Sequence, residues 1–215
     1  MEELIRYGLT ALVTLLVVVD PFGIVPIFAV LTAAVSPSRQ RAILARAVGI
    51  ALAVALFFVA AGRITLAYLG VTVHAFAISG GVLLFATALP MLFGQRGGLQ
   101  APEPREKAAT GEDAAIFPLA IPLLSGPGTL TTILLLADKA RGDPQRLAAL
   151  SAAVVGVFAT AWLVLKLGRA LAGQIGEGGL HVITRVMGIV LAALAVQYIL
   201  DGVTGYYQSV AGRGQ

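Results

Sequence analysis

Few residues in this chain are placed to do chemistry. Asp20 lies in the run Asp20-Pro21-Phe22-Gly23-Ile24-Val25-Pro26 and is the only charged residue between Tyr7 and Ser36. An apolar stretch of that length can cross a bilayer, which takes roughly 20 residues. A carboxylate at membrane depth is costly, and Pro21, Gly23 and Pro26 break the helix that would hide its backbone. The prolines remove two donors and free carbonyls a turn earlier, while Gly23 lets a backbone or a ligand come close. Asp20 can then accept from an ammonium group, accept from freed N–H groups, or carry a proton. Equally, Asp before Pro is a good helix start, so capping stands beside the site reading.

A second motif is Ile121-Pro122-Leu123-Leu124-Ser125-Gly126-Pro127-Gly128-Thr129-Leu130-Thr131-Thr132. Gly126-Pro127-Gly128 near the middle of an apolar segment cannot remain a regular helix, and Ser125, Thr129, Thr131 and Thr132 supply hydroxyls. A helix restarting near Thr129 would aim partly positive N–H groups at the break, where they suit a carboxylate. Such a helix start facing Asp20 would suit a zwitterion. The plainer alternative is a proline kink patched by Ser/Thr hydroxyls, which is common in membrane helices.

Composition sets the class of the elements that carry these motifs. Of 215 residues, 58% are hydrophobic and 12% charged, with mean hydropathy +0.91. Soluble domains carry about 25% charged residues, so we expect an all-α integral membrane protein. The net charge of +4 suits loop cations beside anionic lipid rather than nucleic-acid binding. Cysteine is absent, which removes disulfides and thiolate metal sites. Glu2 and Glu3 make the leading segment acidic, unlike a cleavable signal, so it reads as the first membrane helix.

Six hydrophobic segments are expected, at about 4–34, 41–69, 75–93, 116–137, 147–171 and 181–202. The first is broken at Asp20–Pro26, and the fourth at Pro122 and again at Gly126–Gly128. Residues 94–115 form a polar, charged linker of flexible composition, and 206–215 a tail. Nine Lys/Arg fall on the linker side of such a layout and six on the other. The positive-inside bias then puts the linker in the cytoplasm and both termini outside.

The two halves resemble each other. Pro21 and Pro127 are 106 residues apart, as are Gly62-Arg63 and Gly168-Arg169; His74 and His181 are 107 apart, as are Gly81 and Gly188. Three spans per half would make residues 1–93 and 116–205 inverted repeats, with paired broken first and fourth helices. In transporters built this way the substrate sits between the broken helices, near the midplane. Chance matches among 25 glycines are the competing explanation.

The remaining polar residues have bland readings. His74 and His181 fit interfacial packing or capping, since two histidines so placed are too few for a metal site. Arg63, Lys166, Arg169 and Arg185 fit snorkelling side chains near helix ends, and Asp201 fits the end of the sixth helix. Small residues such as Gly49, Ala53, Gly80 and Gly156 suit close helix packing and permit a homo-oligomer. No nucleophile elbow, carboxylate pair or phosphate loop is present, so neither enzyme chemistry, a cofactor nor a metal is expected.

The motifs Asp20-Pro21-Phe22-Gly23-Ile24-Val25-Pro26-Ile27-Phe28 and Pro118-Leu119-Ala120-Ile121-Pro122-Leu123-Leu124-Ser125-Gly126-Pro127-Gly128-Thr129 together resemble those of the MarC family of bacterial and archaeal inner-membrane proteins. This family is also called UPF0056 or SnatA, and is grouped with LysE-type exporters. The resemblance covers nearly the whole chain and implies a transporter of small neutral amino acids in the cytoplasmic membrane. The expected substrate site is Asp20, Pro21, Gly23, Pro26, Ser125, Gly126, Pro127, Gly128, Thr129 and Thr132, with H+ or Na+ as the coupling ion. Export or flipping of another small metabolite, drug or lipid, and a non-transport scaffold, are the alternatives.

Overall fold

In the computed structural model the described residues are 1–33, 35–93, 115–140 and 143–211, without the side chains of 115–118, 169–177, 180 and 181. All their regular structure is helical: α1 (Glu2–Val19), α2 (Pro21–Leu31), α3 (Pro37–Tyr68), α4 (Val73–Phe93), a π-helical segment (Ala115–Leu124), α5 (Pro127–Lys139) and α6 (Pro144–Ala211). Among the described residues, five stretches are long and apolar enough to cross a membrane: Glu2–Leu31, Pro37–Tyr68, Val73–Phe93, Pro144–Gly168 and Val182–Ala211. The expected fourth segment is split by its break into 10 and 13 residues, so neither piece spans alone. The linker, apart from Ala115, lies outside the described residues.

Local chemistry explains the boundaries. Glu2 and Glu3 sit in the first turn of α1, where the helix dipole favours negative charge. Ser36-Pro37 starts α3, as a proline at the first helical position should. Gly70, with φ of 69°, turns the chain between α3 and α4, a conformation that glycine adopts without strain. The Thr72 hydroxyl accepts from Ala75 N–H at 3.1 Å, so Thr72 rather than His74 caps α4. Three expectations are corrected. Pro26 lies inside α2 rather than in the break. The last helix continues to Ala211 through the expected tail, because 203–211 lacks proline and remains largely apolar. Asp201 is therefore inside a helix, and Gln197 one turn earlier donates to it at 2.7 Å.

Side-chain packing fixes how the helices run. The Tyr7 hydroxyl donates to Leu136 O at 2.8 Å, while Val18 packs on Gly128, so α1 runs antiparallel to α5. Ser125 bonds to Ala51 and Gly62 packs on Leu134, so α3 runs parallel to α5. Thr131 lies on Gly80 and Leu84 on Gly128, so α4 is antiparallel to α5. The first part of α6 follows α1 and α2, through Gly8–Ala149, Leu12–Gly156 and Val25–Gly168. Its later part opposes α4, through Gly188–Met91 and Gly202–His74. The stretches before Gly168 and after Val182 therefore run in opposite directions, so the chain reverses between them within the helical span Pro144–Ala211.

The main core joins Leu15, Val19 and Phe28 to Ala51, Leu124, Ile133 and Phe158; a second cluster joins Val18 and Leu84 to Ala195 and Tyr198. Val18 and Val19 thus place the end of α1 against both.

Candidate functional site

Asp20 ends one helix and begins the next. It adopts φ 42° and ψ 66°, the left-handed region that Asp and Asn tolerate better than most residues. Its N–H donates to Leu16 O at 3.1 Å, closing α1. Its carboxylate accepts from Gly23 N–H at 3.2 Å, opening α2. A Cβ at residue 23 would strike that carboxylate, so glycine is what lets Asp20 reach the amide. Asp20 is 7% exposed, and no cation pairs with it among the described residues. Asp20 therefore caps α2, and among the described residues its charge has no cation beside it.

The second break is built differently. The peptide Ile121-Pro122 is cis, Ser125 turns the chain, and α5 begins at Pro127. Gly126 precedes it in extended backbone (φ −74°, ψ 172°), with no side chain capping the helix start. A Cβ on Gly126 would run into Pro122 O. The buried Ser125 hydroxyl donates across to Ala51 O of α3 at 2.8 Å. Thr129 Oγ1 donates to Leu124 O at 3.3 Å, and Thr132 Oγ1 to Gly128 O at 2.8 Å. Thr129 and Thr132 thus bond carbonyls beside the kink, while Ser125 ties the turn to α3. Thr132 also lies 2.8 Å from the Tyr198 hydroxyl, whereas the fully buried Thr131 hydroxyl has no partner and faces Gly80.

The two breaks adjoin. Gly128 packs on Val18, two residues before Asp20. From there α2 runs 11 residues one way, about 16 Å, and α5 runs 13 residues the other way, about 20 Å, at 1.5 Å per residue. Pro21, Gly128, Thr129 and Thr132 are buried, and Pro26 and Pro127 are exposed.

Two clefts lie away from the breaks, at opposite ends of the bundle. One, of about 270 Å³, borders α2 at Pro26 and Phe28 and is edged by Arg41 and Lys166. The other, of about 370 Å³, borders α5 at Leu135 and Asp138 and is edged by His74 and Asp201. Asp138 also pairs with Arg63 at 3.0 Å, giving Arg63 a specific partner where snorkelling was expected. Among the described residues no group of His, Cys, Asp and Glu could hold a metal ion. Sequence reasoning missed Tyr198 and the Ala51 carbonyl, because both are contributed by distant segments of ordinary apolar pattern.

The model of the MarC family of integral membrane proteins matches residues 5–207. The chain belongs to that family. It is 35% identical over 195 residues to the UPF0056 inner membrane protein YhgN of Escherichia coli (strain K12), covering 91% of this chain and 95% of the relative. It is 31% identical over 207 residues to a UPF0056 membrane protein of Pyrococcus abyssi, covering 96% and 99%. A UPF0056 membrane protein of Methanocaldococcus jannaschii is 33% identical over 202 residues, covering 94% and 98%. No solved structure matches the chain. The breaks at Asp20 and Gly126 both lie inside the span matched by the family.

Proposed function

We propose that this MarC-family protein is a secondary transporter of small neutral amino acids or similar zwitterions, working by alternating access in a bacterial or archaeal inner membrane. The observation that carries the reading is the meeting of two unlike helix breaks half-way through the bundle. Each continues into a short distal helix, α2 or α5, that runs toward its own end of the molecule beside a cleft. The Asp20 carboxylate, buried with one backbone donor and no cation, would take the ammonium group. The uncapped start of α5 at Gly126-Pro127-Gly128 would take the carboxylate. The clefts leave room for each distal helix to move, and H+ or Na+ would couple the cycle.

The π-helical segment and α5 act together as a sixth crossing, which makes residues 1–93 and 116–205 two inverted repeats. Packing between α4 and α6 supports this. Gly81 of α4 meets Ala195 and Ile199, whereas Gly188 of α6 meets Ala88, Met91 and Leu92. Ala88 and Leu92 stand 107 residues before Ala195 and Ile199, the spacing that separates Gly81 from Gly188, so the two contacts exchange under a pseudo-two-fold rotation. Inverted repeats with discontinuous helices are a recurrent transporter design. With the linker cytoplasmic, both termini lie outside.

Counterflow in proteoliposomes tests the proposal. Vesicles loaded with unlabelled alanine should accumulate labelled alanine or glycine above empty vesicles, and Asp20→Asn should abolish it. Absence of uptake for every small zwitterion tried, or a full rate in Asp20→Asn, overturns it. One observation favours the scaffold reading: every break hydroxyl but Thr131 is bonded within the protein.

A further inference from the structure

The two clefts differ in charge. At the α5 end, Asp138 and Asp201 stand with Lys139 and His74. At the α2 end, the charged lining residues are Arg41 and Lys166, without an acid. Arg41 Nε donates to Pro37 O at 3.3 Å, and its terminal nitrogens have no protein partner among the described residues. The Lys166 ammonium rests 4.5 Å from the centre of the Trp162 ring, a cation–π contact that holds it in place without neutralising it. Pro26 and Ala29 form an apolar wall backed by the buried Phe28, Leu44 and Leu165, and Gln40 adds an amide. Arg41 lies near the start of α3, and Lys166 near the end of the span Pro144–Gly168. The cleft is thus level with one end of the membrane crossings, where lipid phosphates lie.

We propose that this cleft is a binding site for an anionic phospholipid: Arg41 and Lys166 hold the phosphate and glycerol headgroup, and the first part of an acyl chain lies on Pro26 and Ala29, over the buried Phe28, Leu44 and Leu165. Charge complementarity and the apolar wall beside it select this occupant over a soluble anion, which would gain nothing from the wall. The site goes beyond the transport reading. A lipid seated there bears on α2 from the side of α3 and α6, whether or not α2 moves in a transport cycle.

Trp162 is the single tryptophan and lies one turn from Lys166, so it reports on the cleft. The full chain in phosphatidylcholine vesicles is titrated with brominated phosphatidylglycerol or, separately, brominated phosphatidylcholine. Phosphatidylglycerol should half-quench Trp162 at a mole fraction lower by about fivefold for each cation engaged. Arg41→Gln should narrow the difference by about that factor, and Arg41→Lys should keep most of it. Equal quenching by the two lipids, or an undiminished preference in Arg41→Gln, overturns the proposal. So does relief of quenching by soluble glycerol phosphate or inorganic phosphate, since it would show that the cleft takes a free anion. Should Arg41→Gln fail to fold, Lys166→Gln serves, read by retained phosphatidylglycerol adducts in native mass spectrometry. Loss of adducts supports the site and their full retention overturns it.

Discussion

Asp20-Pro21 and Gly126-Pro127 stand 106 residues apart and solve one problem in two ways. Each must stop a helix inside an apolar bundle and start another at a proline. At the first break a single residue does both, through left-handed backbone and a carboxylate on Gly23 N–H. At the second the work is spread over many residues: a π-helical approach, a serine bonded to a neighbouring helix, and a glycine in extended backbone that leaves the new helix start without a side-chain cap. The difference is electrostatic as well as geometric. One break presents a negative group, and the other presents the positive end of a helix dipole. A proline kink needs neither, and this asymmetry is what the proposed zwitterion site rests on.

The largest structural effect should come from adding one methyl group at the second break. In Gly126→Ala the new Cβ meets Pro122 O, a backbone atom held by the turn. Overpacking of this kind should cost about 3 kcal/mol. The matching change, Gly23→Ala, meets only the Asp20 carboxylate, which can rotate away. That change gives up a cap of about 1 kcal/mol and regains about as much from alanine inside a helix. Thermal unfolding in detergent should therefore show a large drop for Gly126→Ala and a small one for Gly23→Ala. Equal losses would mean that the two breaks are equally rigid.

Replacing Asp20 separates its backbone task from its charge. Alanine removes the cap and is strained at φ 42°, so Asp20→Ala should lose about 2 kcal/mol. Asparagine keeps both the cap and the tolerance for left-handed backbone, and it removes a buried charge that no cation among the described residues balances. Asp20→Asn should melt within about 0.5 kcal/mol of the parent or above it. A parent clearly more stable than Asp20→Asn would show that the carboxylate charge is held by a favourable interaction in the fold. The proposed role of Asp20 in holding an ammonium group would then lose its support.

The sequence already located both breaks, because a charge or a Gly-Pro-Gly inside an apolar run conflicts with its surroundings. It also indicated the helical membrane class, since that depends on composition alone. The left-handed turn at Asp20 was not legible: Asp before Pro announces a helix start, but not that the preceding helix ends on the same residue. Nor was the fate of the hydroxyls. Ser125 bonds to Ala51, 74 residues away, and a backbone carbonyl leaves no trace in residue type. Asp201 was misplaced for a related reason, since an acid followed by glycine looks like a helix end, while packing of Gly202 on α4 carries the helix onward.

The smallest effect concerns the hydroxyl pair that ties α5 to α6. Thr132 Oγ1 and Tyr198 Oη lie 2.8 Å apart, both buried. Thr132 also donates to Gly128 O, so in that arrangement the Tyr198 hydroxyl is the donor to Thr132. A double-mutant cycle of Thr132→Val and Tyr198→Phe should show a coupling of about 0.6 kcal/mol, the usual size for hydrogen bonds between membrane helices. Ser125→Ala provides the comparison within the same break, because its partner is a carbonyl that no substitution removes. If the cycle shows no coupling, α5 is held to α6 by apolar contacts alone. The second break would then owe its position to Ser125 and the packing around Gly128, and α5 would be freer to move than α2, whose start Asp20 fastens directly.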